Sequence, residues 1–163
     1  MGYKEGGALF PKEGDKMLFS DADYLDTWKA MEQKVKEGKI RSIGLSNFGI
    51  KQIQRVIDNC QIKPAALQVE CHPYFQQNEL VEFCNKNSIA VTAYSPLATL
   101  PCLSTSPLIQ ISSQILIQKG ICVIPKSVSE SRIKENKNIW DFTLTEEEMT
   151  KMKGWTAICV FLI

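Results

Sequence analysis

Apolar residues recur along this chain in two periods, one helical and one of short continuous runs. Leu25, Trp28, Met31 and Val35 share a helical face, Ser20 or Asp21 stands where a cap is needed, and Gly38 suits the C-terminal stop. A strand from Lys39 to Leu45 is expected next. Ile50, Ile53, Val56, Ile57 and Cys60 form the stripe of a second helix, ahead of a strand near Ala65 to Glu70. Leu80, Val81 and Cys84 mark a third helix, which leads into the run Ile89 to Ala93. This β-α-β-α-β series with short links predicts a parallel sheet with helical crossovers. Between Pro96 and Ile109 the period is lost, and the helix expected over Gln110 to Lys119 is short and irregularly patterned. A strand from Ile121 to Pro125 follows Gly120, Ser129 opens a further helix, and Thr145 with Glu148 forms a capping box. Residues 1–19, with Gly2, Gly6, Gly7, Pro11 and Gly14, read as an N-terminal loop. The body is expected over 20–155, followed by an apolar tail over 156–163.

Each apolar run ends in polar or aromatic residues. Ile43-Gly44-Leu45 gives way to Ser46-Asn47, Ala65-Ala66-Leu67 to Gln68, Ile89-Ala90-Val91 to Tyr94-Ser95, and Ile121 to Ile124 to Lys126-Ser127. In a parallel sheet with helical crossovers the C-terminal strand ends gather on one face, where ligand sites are built. Four such ends amount to half a site.

Composition narrows the ligand. The 163 residues are 44% hydrophobic and 23% charged, an ordinary globular balance sufficient for one core. A net charge of +1, from 19 basic and 18 acidic residues, supplies no general field for nucleic acid or anionic lipid, so anion recognition has to be local. Six cysteines without a C-x-x-C pair, behind a start that carries no secretory leader, fit reduced thiols in a cytoplasmic protein. Cys71 precedes the sole histidine, His72, but a zinc site needs more ligands at workable spacing, and no metal is expected. The myristoylation and prenylation patterns fail, and Ala157 to Ile163 is too short to span a bilayer, so no membrane partner is expected.

Lys126-Ser127 just past a strand, with Arg132, Glu135 and Asn136 on the next helix, forms a cationic, hydrogen-bonding group beside a helix N-terminus, the setting that suits a phosphate. A solvated helix start with surface charges is the competing reading.

Taken in order, the motifs resemble the aldo-keto reductase family. They are Leu25-Asp26-Thr27-Trp28-Lys29-Ala30-Met31-Glu32, Gly44-Leu45-Ser46-Asn47-Phe48, Gln68-Val69-Glu70-Cys71-His72-Pro73-Tyr74, Thr92-Ala93-Tyr94-Ser95-Pro96-Leu97, and Ile124-Pro125-Lys126-Ser127-Val128 with Arg132 and Glu135-Asn136. The resemblance implies an α/β fold, part of a (β/α)8 TIM barrel with about four parallel strands. It also implies NADPH-dependent reduction of small aldehydes and ketones without a Gly-rich dinucleotide loop, and no G-x-G-x-x-G occurs here. By position, Ser46, Asn47 and Gln68 match the residues that hydrogen-bond the nicotinamide carboxamide, and Tyr94 the ring that stacks on the nicotinamide. Ser95 and Leu97 match the pyrophosphate track, Lys126, Ser127 and Arg132 the grip on the 2′-phosphate of NADP(H), and Glu135 and Asn136 the adenine contacts. His72 falls in a structural loop.

The family's catalytic Asp, Tyr, Lys and His belong to the first half of the barrel, and the resemblance leaves this chain without them, so no catalytic residue is assigned. The segment from Leu97 to Ile121 is shorter than the family pattern, and the tail departs from it. The expectation is a truncated reductase that carries the cofactor half-site and is inactive alone. The alternative is a non-catalytic partner that pairs through open sheet edges with a complementary half-barrel or a full-length reductase.

Overall fold

The chain divides into two compact units, residues 1–43 with 51–64 and residues 44–50 with 65–163. The structure, a computed structural model, describes residues 3–4, 6, 8, 10–97 and 106–154. The expected apolar tail therefore lies outside the described residues.

In the first unit, strands β1 (Lys12–Glu13) and β2 (Lys16–Met17) pair antiparallel within the segment expected as a loop. Gly14 turns this hairpin at φ +61°, a conformation that favours glycine. Helix α1 (Tyr24–Lys36) is capped by Asp23 rather than by Ser20 or Asp21, the Asp23 carboxylate accepting from the Leu25 N–H at 3.0 Å. The same carboxylate takes both arms of the Arg55 guanidinium, at 2.9 and 2.5 Å, from helix α2 (Ile50–Asn59), and this tie fixes which acid caps the helix. Gly38 stands just past the end of α1 at φ +72°. Leu25 and Trp28 are buried on α1 with Met31 and Val35 half-buried beside them, and Glu32 joins this face as a buried acid that the apolar stripe does not include. The Glu32 carboxylate, 4% exposed, accepts the backbone N–H groups of Gln61 and Ile62 at 2.7 and 2.8 Å, and the Trp28 indole donates to the Ile62 carbonyl at 3.2 Å.

The second unit holds four parallel strands in sequential order: β3 (Gly44–Ser46), β4 (Ala66–Glu70), β5 (Ala90–Tyr94) and β6 (Cys122–Val123). β3 and β6 are shorter than the runs expected from Lys39 to Leu45 and Ile121 to Pro125. Gly44 permits the approach of β3 to β4, since a Cβ there would lie 2.6 Å from the Ala66 carbonyl oxygen. Alternation divides the sheet cleanly. Leu45, Leu67, Val69, Val91 and Ala93 are buried, whereas Gly44, Ser46, Gln68, Ala90 and Cys122 on the other face are exposed. Helix α3 (Asn78–Lys86) packs on β5 through a face carrying Leu80, Val81 and Cys84, and α4 (Ser106–Gln118) packs on β6.

α4 is longer than the expected helix over Gln110 to Lys119. Ile109, Ser112, Ser113, Gln114, Ile115 and Leu116 are all buried, and a helix enclosed on most sides carries no clean polar face to betray it. Its glutamines hold the irregular segment that links α5 (Glu130–Lys137) to α6 (Glu146–Lys153). The amides of Gln110, Gln114 and Gln118 donate to the carbonyls of Asn138, Phe142 and Leu144 at 2.9, 3.0 and 2.9 Å. α5 begins after Ser129, and the Thr145/Glu148 capping box opens α6.

Candidate functional site

The strand ends are tied together by backbone hydrogen bonds before any side chain contributes. The Asn47 N–H donates to Gln68 O at 2.9 Å, Cys71 N–H to Tyr94 O at 3.3 Å, and Ile124 N–H to Ala93 O at 3.2 Å. Asn47 and Ser95, which follow β3 and β5 directly, both adopt the left-handed conformation at φ 57° and 48°. Asparagine tolerates that region better than most residues, and strained backbone of this kind concentrates at functional sites. The turn at Asn47 carries its amide to Tyr94, whose hydroxyl donates to Asn47 Oδ1 at 3.0 Å.

Register places Ser46 beside Gln68 and Gln68 beside Thr92 on one sheet face, with Glu70 beside Tyr94 one step further on. Ser46, Asn47, Gln68 and Tyr94 are thus brought together at one end of the sheet. Asn47, Glu70, Gln77 and Tyr94 line a cleft of about 260 Å³ there. Glu70 and Thr92 were not singled out as site residues by the sequence, although the same two-residue alternation that carries Gln68 and Tyr94 also carries them onto this face. Gln77, left-handed at φ 52°, donates its side-chain amide to the Glu70 carbonyl at 3.3 Å.

A second cluster lies beyond β6. Ser127 Oγ accepts the Ser129 N–H at 3.2 Å, forming the turn that enters α5. Lys126 and Arg132 are exposed. Glu135 is half-buried. Asn136 is 8% exposed, and its Oδ1 is buried with no hydrogen-bond partner among the described residues, a group that fits an incoming donor such as an adenine amine. Ser95 is exposed and Leu97 half-buried. Residues 98–105, which lead on toward α4, lie outside the described residues.

His72 sits in the tight turn after β4, exchanging backbone hydrogen bonds with Phe75 at 3.2 and 2.8 Å. Burial lowers its pKa while Glu70, 3.6 Å away, pulls it upward. Lys119, also lowered by burial, donates to Gln76 Oε1 at 2.7 Å and Asn78 Oδ1 at 3.2 Å. The Gln76 amide donates in turn to the carbonyls of Pro73 and Met152, both at 2.8 Å. This network braces the loop behind the cleft. Burial pushes the Cys71 thiol up to about 11, which keeps it protonated and unreactive. Among the described residues no three His, Cys, Asp or Glu side chains converge to ligate a metal, and no helix is long and apolar enough to cross a membrane.

Comparison with known proteins bears on this arrangement. The family model described as "Aldo/keto reductase family" matches residues 16–106. The chain is 42% identical to aldo-keto reductase family 1 member A1 of Gallus gallus, over 98% of this chain and 57% of the relative. It is 37% identical to the Homo sapiens protein of the same name, again over 98% and 57%. The structure of the aldose reductase from Schistosoma japonicum superimposes with a TM-score of 0.87 at 40% identity, covering 94% of this chain and 55% of that one. The chain spans little more than half the length of the curated relatives it matches. Its four parallel strands with their helices are part of a (β/α)8 barrel, and the chain belongs to the aldo-keto reductase family.

Proposed function

We propose that this chain carries the NADPH half-site of a carbonyl reductase and does not turn over alone. When bound, NADPH supplies the hydride for reduction of an aldehyde or ketone. The observation that carries the reading is the convergence of Asn47, Gln68 and Tyr94 at the strand ends, with Asn47 and Tyr94 joined at 3.0 Å. In this reading the Tyr94 ring lies against the nicotinamide, while Ser46, Asn47 and Gln68 hold its carboxamide. Ser95 and Leu97 follow the pyrophosphate, Lys126, Ser127 and Arg132 bind the 2′-phosphate, and Glu135 and Asn136 face the adenine. Protonating the developing alkoxide requires an acid, and the hydroxyl proton of Tyr94 is already directed at Asn47. Tyr94 is therefore not assigned that role, and in this reading the acid comes from the part of the family barrel that the match leaves uncovered. Cys60, Cys71, Cys84 and Cys122 are free thiols, which suits a cytoplasmic setting.

The purified chain is expected to consume no NADPH in the presence of a generic aldehyde. It is expected to bind NADPH at least about tenfold more tightly than NADH, a preference that Lys126→Ala abolishes. Aldehyde-dependent NADPH oxidation by the pure chain refutes the inactivity, and equal affinity for the two nucleotides refutes the 2′-phosphate grip. The edge strands β3 and β6 favour a second reading, in which the chain acts as a non-catalytic partner that pairs with another half-barrel or a full-length reductase.

A further inference from the structure

We propose that Glu70 sets the redox preference of the cofactor site, its carboxylate favouring the oxidised, cationic nicotinamide ring over the reduced, neutral one. The inference rests on the cofactor reading above and gives a role to a residue outside it. Glu70 ends β4 as the Cα partner of Tyr94, two positions beyond Gln68 on the same face. Neighbouring strands lie about 4.8 Å apart and alternate residues of one strand about 6.7 Å apart, so a ring held by Gln68 and Tyr94 has this carboxylate within about 5–7 Å.

Among the described residues, Glu70 is the only charged residue in the four strands of this sheet, and the cleft that it lines with Asn47, Gln77 and Tyr94 carries no Lys or Arg. His72 Nε2 lies 3.6 Å from the Glu70 carboxylate. Burial lowers the pKa of that imidazole, so it is neutral at about pH 8 and leaves the charge of the carboxylate in place. NADP⁺ and NADPH carry the same phosphates, so any effect of Glu70 on the anionic part of the molecule cancels between them. What remains is the ring, a cation in one form and neutral in the other. The carboxylate therefore tightens NADP⁺ relative to NADPH, and that preference makes bound NADPH the stronger hydride donor. The Glu70 side chain is 38% exposed, so solvent screens the attraction and holds the preference to about three- to tenfold at this separation. The tie between Glu70 and the loop beyond it runs through the Glu70 carbonyl, which accepts the Gln77 amide at 3.3 Å. Neutralising the carboxylate leaves that tie intact.

The experiment titrates the full chain at about pH 8 with NADP⁺ and with NADPH by isothermal calorimetry, which reads both forms without a reaction. Glu70→Gln is expected to weaken NADP⁺ about three- to tenfold and to leave NADPH within about twofold, a rise of about 14–30 mV in the midpoint potential of the bound couple. Glu70→Asp restores the charge and should return the ratio of the two affinities to that of the parent. Thr92→Asp adds a carboxylate beside Gln68 on this face and should move the ratio the opposite way. Added salt should shrink the preference of the parent and leave the ratio of Glu70→Gln unchanged. A ratio that Glu70→Gln leaves unaltered, whether both forms weaken equally or neither does, overturns this inference while the cofactor reading stands. Where that variant does not fold, an unaltered ratio in Thr92→Asp overturns it in the same way. A parent chain that binds neither form overturns the cofactor reading and this inference together.

Discussion

Replacing Asn47 separates two contributions that its position combines. The residue holds a left-handed backbone at φ 57° and supplies the acceptor for the Tyr94 hydroxyl at 3.0 Å. Alanine at such a φ costs about 1–2 kcal/mol. The hydrogen bond is exposed, so its loss belongs at the low end of the usual range, about 0.5 kcal/mol. Asn47→Ala should therefore lower stability by about 1.5–2.5 kcal/mol. Asn47→Gly loses the same hydrogen bond but none of the backbone fit, and should remain within about 0.5 kcal/mol of the parent. Tyr94→Phe should match the glycine variant. Urea unfolding followed by circular dichroism measures all three. NADPH titration by tryptophan quenching then separates stability from the site, because Asn47→Gly still lacks the amide assigned to the carboxamide and should bind about five- to tenfold more weakly, near 1–1.4 kcal/mol. Equal destabilisation by alanine and glycine would refute the backbone argument. Undiminished NADPH affinity in the glycine variant would refute the carboxamide assignment.

Two further expectations concern the first unit. Glu32→Ala leaves the Gln61 and Ile62 N–H groups without their acceptor and should cost about 2–4 kcal/mol in urea unfolding, whereas Glu32→Gln retains an oxygen there and should cost about 1 kcal/mol. The Arg55 hydrogen bond, aided by the Leu25 N–H, lowers the Asp23 pKa from 3.8 to about 2. A depressed folded-state pKa gives stability that is present above pH 3.8 and lost as pH falls toward 2, so acid unfolding should steepen across that window. Arg55→Met should flatten the dependence, and 1 M salt should weaken it, because the pair is exposed.

Much of this architecture was legible because burial is one-sided. The alternation in β4 and β5 and the stripes of α2 and α3 each report a single apolar face, and the α6 capping box is spelled out by Thr145 and Glu148. Sequence failed where a polar group takes an apolar place or where distant partners decide. Glu32 occupies the buried face of α1 because two backbone donors 29 and 30 positions away require an acceptor, a demand that local pattern does not record. Asp23 displaces Ser20 and Asp21 as the cap because Arg55 reaches it across 32 positions. The left-handed turns at Asn47 and Ser95 have no glycine to announce them. In the site, the residues at the strand ends were legible through motif order. The placement of Glu70 and Thr92 on the same face as Gln68 and Tyr94 follows from strand register.

The three glutamines of α4 also set a rule for how this chain can change in length. Spaced four apart, they meet three carbonyls in a segment that has no ladder of its own, so the phase of the helix governs the path of the chain leading into α6. One residue inserted between Gln110 and Gln118 rotates everything beyond it by about 100°, turning at least one amide away from its carbonyl. A residue gained or lost within α4 therefore costs part of the bracing that sets the path of the chain into α6.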